Sequence, residues 1–300
     1  MSEFEAVTLT DPSSSLTATV VPMAGMIITS LRDGEHEFLG QRRGLDAYIT
    51  AGKTMGVPIL YPWANRLSAN DYGINGAVVT LTPGTGGVRT DENDVPIHGV
   101  LTGYPGWLVS DRSDNSLQAV LDFGGRPRLL ASFPFPHVLT QRMTLEDRTL
   151  TVETTVTPTT GASVPLCFGY HPYVQLPGIP RAEWTLTTPT MRHRPVDDLG
   201  LPTGAHDDWA GTSTVLGSTV YDDGFDQVPE GAVFAISADD RRVEIAFLKG
   251  YPATQLFAPP NDDVIAIEPM AAPTDALRQG NYRFAVAGKP ETTRFSITAT

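Results

Sequence analysis

The chain has 300 residues, and its 34 acidic against 21 basic side chains give a formal net charge of −13. This charge argues against a protein that binds the nucleic-acid backbone, because such a protein needs clustered cations. The hydrophobic fraction of 41% is sufficient for a substantial core, and the 28 glycines and 25 prolines predict many turns between short elements.

The sequence favours neither a membrane protein nor a secreted one. No stretch approaches the roughly 18 consecutive apolar residues of a membrane-spanning helix, so we expect no association with a membrane. The segment MSEFE at 1–5 is acidic, whereas a signal peptide begins with basic residues. We therefore expect a cytoplasmic protein. The single cysteine, Cys167, excludes an internal disulfide, and its apolar neighbours predict a buried side chain.

Apolar and polar residues alternate with a period of two along much of the chain, which predicts half-buried β-strands. In chain order the predicted strands are 16–21, 26–31, 77–81, 116–123, 137–145, 150–156, 183–187, 233–237, 243–248, 255–257, 264–267 and 294–298. Short polar links predict two hairpins, which turn at 146–148 and at 239–242.

Few segments show helical periodicity, and strands are expected from one end of the chain to the other. The Gly-rich regions 84–87 and 200–211 lie between predicted strands, so we predict surface loops there. The pattern therefore predicts a large all-β sandwich or barrel that occupies residues 1–300 as a single domain.

Glu268 is the most informative polar residue. It follows the apolar run VIAI at 264–267 and precedes Pro269, so the pattern places a carboxylate at the end of a buried strand. A buried carboxylate must be paired, hydrogen-bonded or functional, because burial of an unpaired charge is costly. Glu268 is thus either a catalytic carboxylate or part of a structural ion pair.

His171 lies in the aromatic segment FGYHPY at 168–173. Aromatic rings beside an imidazole suit a sugar site, since apolar sugar faces pack on rings while hydroxyls form hydrogen bonds. A hydrogen-bonded histidine of the core is the alternative interpretation.

Further polar residues stand at the ends of apolar segments or in turns. Asn65 and Arg66 follow the apolar segment PILYPWA at 58–64, His98 precedes Gly99, and Asp222 lies in YDDGF at 221–225. Each of them alone is also compatible with a turn residue or a surface side chain.

Read together and in order, these segments resemble the aldose 1-epimerase, or mutarotase, family. The matching segments are PWANRL at 62–67, IHG at 97–99, FPFPH at 133–137, GYHPY at 169–173, YDDGF at 221–225 and IEPM at 267–270. They are specific as a set because they occur in the family's order and at compatible distances. The resemblance implies a large antiparallel β-sandwich of the galactose-mutarotase type with few short helices.

The resemblance also implies roles for individual residues. Glu268 matches the general base and His171 the general acid of an enzyme that interconverts the α and β anomers of a hexose. The residues that match sugar ligands are Arg66, His98 and Asp222, with Asn65, Tyr173 and Gln255 as further pocket residues. The proton transfers need no cofactor and no metal. The segment TPTT at 157–160 stands where many relatives carry an asparagine, so the family's sugar preference is not transferred.

Two alternatives keep this fold. One is a non-catalytic sugar-binding protein, although both a candidate base and a candidate acid are present. The other is a hexose-6-phosphate 1-epimerase, which needs cations to hold the phosphate. Since Arg66 is the only Lys or Arg in the matching segments, we expect free aldoses to be turned over with higher kcat/KM than their 6-phosphates. The predicted partner is a small sugar, and the assembly is a monomer or a homodimer.

Overall fold

β-Strands form most of the regular structure in the computed structural model, which describes residues 4–300 and thus leaves the first three residues of the acidic N-terminal segment outside it. The strands are β1 (Val7–Thr10), β2 (Leu16–Val21), β3 (Ile27–Asp33), β4 (His36–Glu37), β5 (Ile59–Leu60), β6 (Asp71–Ile74), β7 (Ala77–Thr80), β8 (Arg89–Thr90), β9 (Pro96–Ile97), β10 (Leu108–Arg112), β11 (Ser116–Asp122), β12 (His137–Glu146), β13 (Thr149–Pro158), β14 (Val164–Leu166), β15 (Gly169–Tyr170), β16 (Tyr173–Val174), β17 (Thr185–Thr188), β18 (Met191–Arg194), β19 (Asp207–Trp209), β20 (Thr212–Val215), β21 (Tyr221–Asp226), β22 (Ala232–Ala238), β23 (Arg241–Lys249), β24 (Ala253–Ala258), β25 (Ile265–Met270), β26 (Arg283–Ala285) and β27 (Glu291–Ala299). The helices are α1 (Gly44–Ala51), α2 (Pro127–Leu130) and α3 (Ala276–Gln279), and 3-10 turns occupy Pro22–Ala24 and Arg181–Glu183. In the part of the chain that is described, no helix has the length and apolar character needed to cross a membrane.

Two large antiparallel sheets dominate the architecture. The first has nine strands in the order β10-β11-β12-β13-β27-β23-β22-β17-β20. The second has eight strands, with the path β19-β18-β21-β24-β25-β15-β5 and β16 paired to β25. A four-stranded sheet of β1 to β4 and the pairs β14-β26, β6-β7 and β8-β9 complete the structure.

The two large sheets enclose a common core. Along β12 and β13 buried and less buried residues alternate, as a strand with one face against a core requires. Leu139 and Val152 from the first sheet and Leu256 and Ile267 from the second belong to the same buried hydrophobic cluster. The predicted sandwich is therefore confirmed, and Cys167 lies in the same cluster, as its apolar neighbours predict.

Both predicted hairpins are present, but the first turn is shorter than the predicted 146–148 because Glu146 still pairs in β12. Asp147 and Arg148 have φ of 49° and 58°, so they form a two-residue turn whose positive φ values match the twist of the flanking strands. In the second hairpin the predicted turn at 239–242 is too long. Arg241 and Arg242 already pair in β23, which leaves Asp239 and Asp240 as the turn.

Several strand predictions need correction. The predicted strand 183–187 begins at Thr185, because the preceding residues form a 3-10 turn. The predicted loop 200–211 contains the strand β19, and β18, β20 and β21 were not predicted. Their segments are rich in charged and hydroxyl side chains, so they lack the apolar alternation that marks a half-buried strand.

Glu268 does not end its strand as predicted, since β25 continues to Met270. Ile265 and Ile267 point into the common core, so the period of two directs Glu268 to the opposite face of the sheet. Directly paired residues of antiparallel strands share a face, and Gln255 is the partner of Glu268 in β24. The outer face of the second sheet therefore carries a row of polar side chains.

Candidate active site

A cavity of about 410 Å³ lies on this outer face. It is lined by all eight predicted site residues, which are Asn65, Arg66, His98, His171, Tyr173, Asp222, Gln255 and Glu268. Its volume lies within the roughly 300–1,000 Å³ of small-molecule sites. Residues separated by up to about two thirds of the chain are thus brought together in one cavity.

The sheet supplies the floor of the cavity. Phe257 pairs with Asp222 across β24 and β21, and Gln255 pairs with Glu268 across β24 and β25. The Gln255 side-chain amide donates a hydrogen bond of 2.7 Å to Asp222 Oδ1. Because this bond fixes the amide orientation, the carbonyl oxygen of Gln255 is presented as an acceptor and the second oxygen of Asp222 stays free for a ligand hydroxyl.

Glu268 and His171 are in direct contact. His171 Nε2 lies 3.2 Å from Glu268 Oε1, and the Tyr173 hydroxyl lies 3.3 Å from the same nitrogen. The Tyr173 ring stacks on the imidazole with centroids 4.3 Å apart, and its hydroxyl is 2.9 Å from that of Thr54. The imidazole is therefore held by a ring on one side and a carboxyl group at its edge.

Burial shifts both members of this pair toward their neutral forms. It raises the pKa of Glu268 well above its usual value, and the nearby Asp222 carboxylate adds to this rise. It lowers the pKa of His171 well below the usual value, and the positive charge of the nearby Arg42 adds to this fall. Both shifts favour a pair that carries a single proton, and the 3.2 Å contact allows this proton to move between the two groups.

Asn65, Arg66 and His98 form the wall beside the pair, where the His98 ring meets the His171 ring edge to face with centroids 5.5 Å apart. Asn65 and His98 adopt left-handed backbone conformations with φ of 53° and 60°, and the His98 amide donates a 3.0 Å hydrogen bond to the Asn65 carbonyl. Such conformations are uncommon for residues other than glycine and persist where neighbouring structure holds them. Burial, with Arg66 nearby, lowers the pKa of His98 to about 3, so its imidazole is neutral.

Arg66 is positioned by a residue that the sequence does not reveal. Asp91 Oδ2 accepts a 2.6 Å hydrogen bond from Arg66 Nε, while its other oxygen accepts the backbone amides of Asn93 and Val95. Gly200 packs closely against the guanidinium of Arg66, since a Cβ at Gly200 would lie only 2.8 Å from Arg66 Nη1. The predicted Gly-rich loop thus has a packing role beside the cavity.

Arg42 is a second residue that no motif indicates. Its guanidinium lies over the Tyr173 ring at 4.8 Å from the centroid and forms a 2.9 Å ion pair with Asp262. It is one of five cationic side chains that line the cavity, namely Arg42, Arg43, Lys53, Arg66 and Arg89. The expectation that phosphorylated sugars are disfavoured assumed Arg66 as the main cation, and the structure removes that premise.

Several residues that line the cavity carry a buried polar atom that has no hydrogen-bond partner in the described part of the protein. These atoms include Nη1 of Arg42, Nδ1 of His98, Nδ1 of His171 and Oε2 of Glu268. A hydroxyl group both donates and accepts, so a sugar can satisfy donors and acceptors alike. Within residues 4–300, no group of three or more His, Cys, Asp or Glu side chains is arranged to hold a metal ion.

His137, which lies in one of the matching segments, does not line the cavity. Its Nε2 is 2.6 Å from the Tyr61 hydroxyl, and its ring stacks on Phe123 with centroids 4.5 Å apart. It is fully buried, and burial lowers its pKa to about 4. It is thus a hydrogen-bonded core residue beneath the segment that carries Asn65 and Arg66.

The fold and the cavity define an antiparallel β-sandwich with a site for a small polar ligand on the outer face of one sheet. Residues 5–294 match the aldose 1-epimerase family, and the chain belongs to this family. A comparison with proteins of curated function found no match.

Solved structures of the same fold come from several bacteria. A putative aldose 1-epimerase from Escherichia coli K12 superposes with a TM-score of 0.77 at 20% identity over 99% of both chains. The Slr1438 protein from Synechocystis sp. PCC 6803 gives 0.80 at 21% identity over 99% of this chain and 96% of its own. A galactose mutarotase related enzyme from Lactobacillus acidophilus gives 0.79 at 15% identity over 99% and 97%. These likenesses confirm the predicted galactose-mutarotase-like fold.

Proposed function

We propose that the protein is an aldose 1-epimerase that interconverts the α and β anomers of a hexose, with Glu268 as the general base and His171 as the general acid. The observation that carries the proposal is the contact of 3.2 Å between these two groups inside a cavity lined by hydrogen-bonding side chains. Both groups are buried, which is the environment in which titratable side chains acquire unusual pKa values suited to catalysis.

The reaction requires a base and an acid that are close together. Ring opening removes a proton from the hydroxyl on C1 while another proton is delivered to the ring oxygen, and both oxygens are bonded to C1. Glu268 accepts the first proton and His171 supplies the second. After rotation about the C1–C2 bond, ring closure on the other face of the aldehyde reverses both transfers and gives the other anomer.

One proton on the pair is sufficient for this cycle. In the protonation state assigned to catalysis, Glu268 is ionised and His171 is protonated. The short contact lets the shared proton reach His171 when a sugar hydroxyl replaces Glu268 as its neighbour. Arg66, His98, Asp222 and Gln255 orient the ring so that O1 and O5 face the pair, which lowers the entropic cost of the reaction.

The pKa shifts predict the pH dependence of kcat/KM. Activity requires one proton on the pair, so it is lost when His171 gains a second proton in acid and when Glu268 loses the last one in alkali. Because burial lowers the pKa of His171, we expect the acid limb to lie below the usual histidine value of about 6.5. The position of the acid limb is measured from kcat/KM values, corrected for the buffer background, between about pH 4.5 and 9. An acid limb at or above about 6.5 contradicts a neutral buried His171.

Polarimetry tests the activity itself. We expect the purified protein to accelerate the mutarotation of freshly dissolved α-D-glucose or α-D-galactose in proportion to enzyme concentration, also with a chelator present. A rate equal to the buffer background for every aldose tried, despite measurable sugar binding, favours the non-catalytic sugar-binding protein.

We also infer that residues 1–300 act as one domain. The main buried cluster includes Val7 near one end and Ala299 near the other, together with side chains from both large sheets. This continuity supports the inference, since a boundary between domains normally falls where few contacts cross.

A further inference from the structure

We propose that the cavity contains an anion subsite, formed by Arg43, Lys53 and Arg89, that binds a phosphate or other anionic group on an exocyclic carbon of the aldose. The identity of the sugar ring rests on the proposed epimerase function. The subsite itself rests on these three cationic side chains, all of which line the cavity. Arg89 packs on Gly52, next to Lys53, and Arg43 stands at the other end of α1.

The three cations are not neutralised by nearby carboxylates. Within residues 4–300, none of Arg43, Lys53 and Arg89 has a carboxylate oxygen within 4.0 Å, whereas Arg42 pairs with Asp262 and Arg66 with Asp91. Ten other arginines of the described chain, Arg42 and Arg66 among them, do form such pairs. Positive charge is therefore available for a ligand at this place.

Contacts with the end of α1 fix the position of the Arg89 guanidinium. Its Nη2 donates a 3.2 Å hydrogen bond to the carbonyl of Ile49 in the last turn of α1, where the helix dipole favours a cation. Its guanidinium packs on Gly52, and a Cβ there would lie 2.7 Å from Cδ and Nη1. Gly52 also has a φ of 68°, which favours glycine. One N–H is thus used for positioning, and the planar group retains donors for bidentate binding of a phosphate.

Helix α1 carries the other two cations. Arg43 directly precedes its first residue and Lys53 follows Gly52 at its end, and both side chains belong to the lining of the cavity and are exposed to solvent. Arg42, next to Arg43, adds a buried Nη1 that has no partner among the described residues. The helix and the strand β8 therefore direct their cations toward one cavity.

The net charge of −13 does not cancel the attraction of these cationic side chains for an anion. At physiological ionic strength the Debye length is about 8 Å, so exposed carboxylates elsewhere on the surface are largely screened. Of the carboxylates that line the cavity, Asp91 is paired with Arg66, and burial raises the pKa of Glu268. Asp222 and Glu92 are the exposed acids of the lining, and the Gln255 amide donates a hydrogen bond to Asp222. The inference thus reverses the expected preference for free aldoses.

Binding of a sugar that cannot react tests the subsite separately from catalysis. The probes are 1,5-anhydroglucitol and its 6-phosphate, which lack the anomeric hydroxyl, measured by calorimetry with the full chain. We expect the phosphate to bind about tenfold more tightly or better, which is about 1.4 kcal/mol, and the difference to shrink as salt is added. The corresponding 6-carboxylate distinguishes a carboxylate from a phosphate as the preferred anion.

Matched variants distinguish a local subsite from general electrostatic attraction. Arg89→Gln and Lys53→Gln are expected to remove most of the phosphate advantage while leaving the affinity for the neutral probe unchanged. Arg112→Gln and Lys289→Gln make the same charge change at exposed positions outside the cavity and are expected to have no effect. Equal binding of neutral and anionic probes, or equal losses in the control variants, overturns the subsite.

The experiments distinguish a failure of the proposed epimerase function from a failure of the proposed anion subsite. If glucose and glucose 6-phosphate both anomerise only at the background rate while the phosphate probe still binds more tightly, the epimerase function is wrong and the subsite stands. If neutral aldoses are turned over and the phosphate gives no gain in binding or kcat/KM, the subsite is wrong and the epimerase function stands.

Discussion

Replacing Glu268 by glutamine is expected to lower kcat for anomer exchange by about 10²-fold or more, the usual contribution of one general base. The amide keeps the size and polarity of the side chain and can still meet Gln255 and His171 at the floor of the cavity. It cannot accept the proton of the C1 hydroxyl. Initial rates by polarimetry, compared with those of the exposed control Glu230→Gln, measure the loss.

The same substitution is expected to raise the melting temperature. Burial raises the pKa of Glu268, so the folded protein binds more protons than the unfolded chain between the ordinary glutamate pKa and the raised one, and stability falls as pH rises through that window. At neutral pH the carboxyl group therefore destabilises the fold, and Glu268→Gln removes this penalty. Full activity of Glu268→Gln contradicts the role of Glu268 as the general base, and an unchanged melting temperature contradicts the destabilisation that its burial implies.

Replacing His171 by asparagine is expected to cause a loss of similar size, about 10²-fold or more in kcat, because the variant cannot deliver a proton to the ring oxygen. Asparagine retains polarity near Glu268 Oε1 but lacks the imidazole that stacks on Tyr173. His206→Asn, at an exposed position outside the cavity, is the matched control.

The pH profile separates a catalytic from a structural role of His171. If His171 supplies the proton, the residual activity of His171→Asn loses the acid limb that reports the protonation of this residue. If the variant keeps the full rate, or loses activity only through unfolding seen by circular dichroism, the assignment of the general acid is wrong.

Local chemistry explains which parts of the fold were predictable. The hairpin at Asp147 and Arg148 follows from alternation in β12 and β13 and a short polar link, all of which are contiguous in sequence. In the strand β21, Asp222 lines the site on one face and Asp223 contacts His193 on the other, so both faces carry polar residues and the alternation rule does not detect the strand. A functional face thus removes the pattern on which strand prediction depends.

The residues of the candidate site likewise fall into those that the sequence reveals and those that it does not. Glu268 and His171 stand out because their own neighbours in sequence are unusual. Glu268 follows an apolar run, and His171 lies among aromatic residues. Asp91 and Arg89 do not stand out, because their positions depend on contacts with Arg66 and with the end of α1, which are distant in sequence. Only the tertiary structure brings such residues to the cavity.

The most direct measurement of the central claim is magnetisation exchange between the α and β anomeric protons of an aldose at equilibrium, followed by NMR with and without the protein. This measurement needs no coupled enzyme and reports the proposed reaction itself for neutral and phosphorylated hexoses alike. We predict an exchange rate that rises linearly with protein concentration for at least one of these sugars and falls to near background with Glu268→Gln and with His171→Asn. An exchange rate that the native protein leaves unchanged for every sugar would contradict the proposed function.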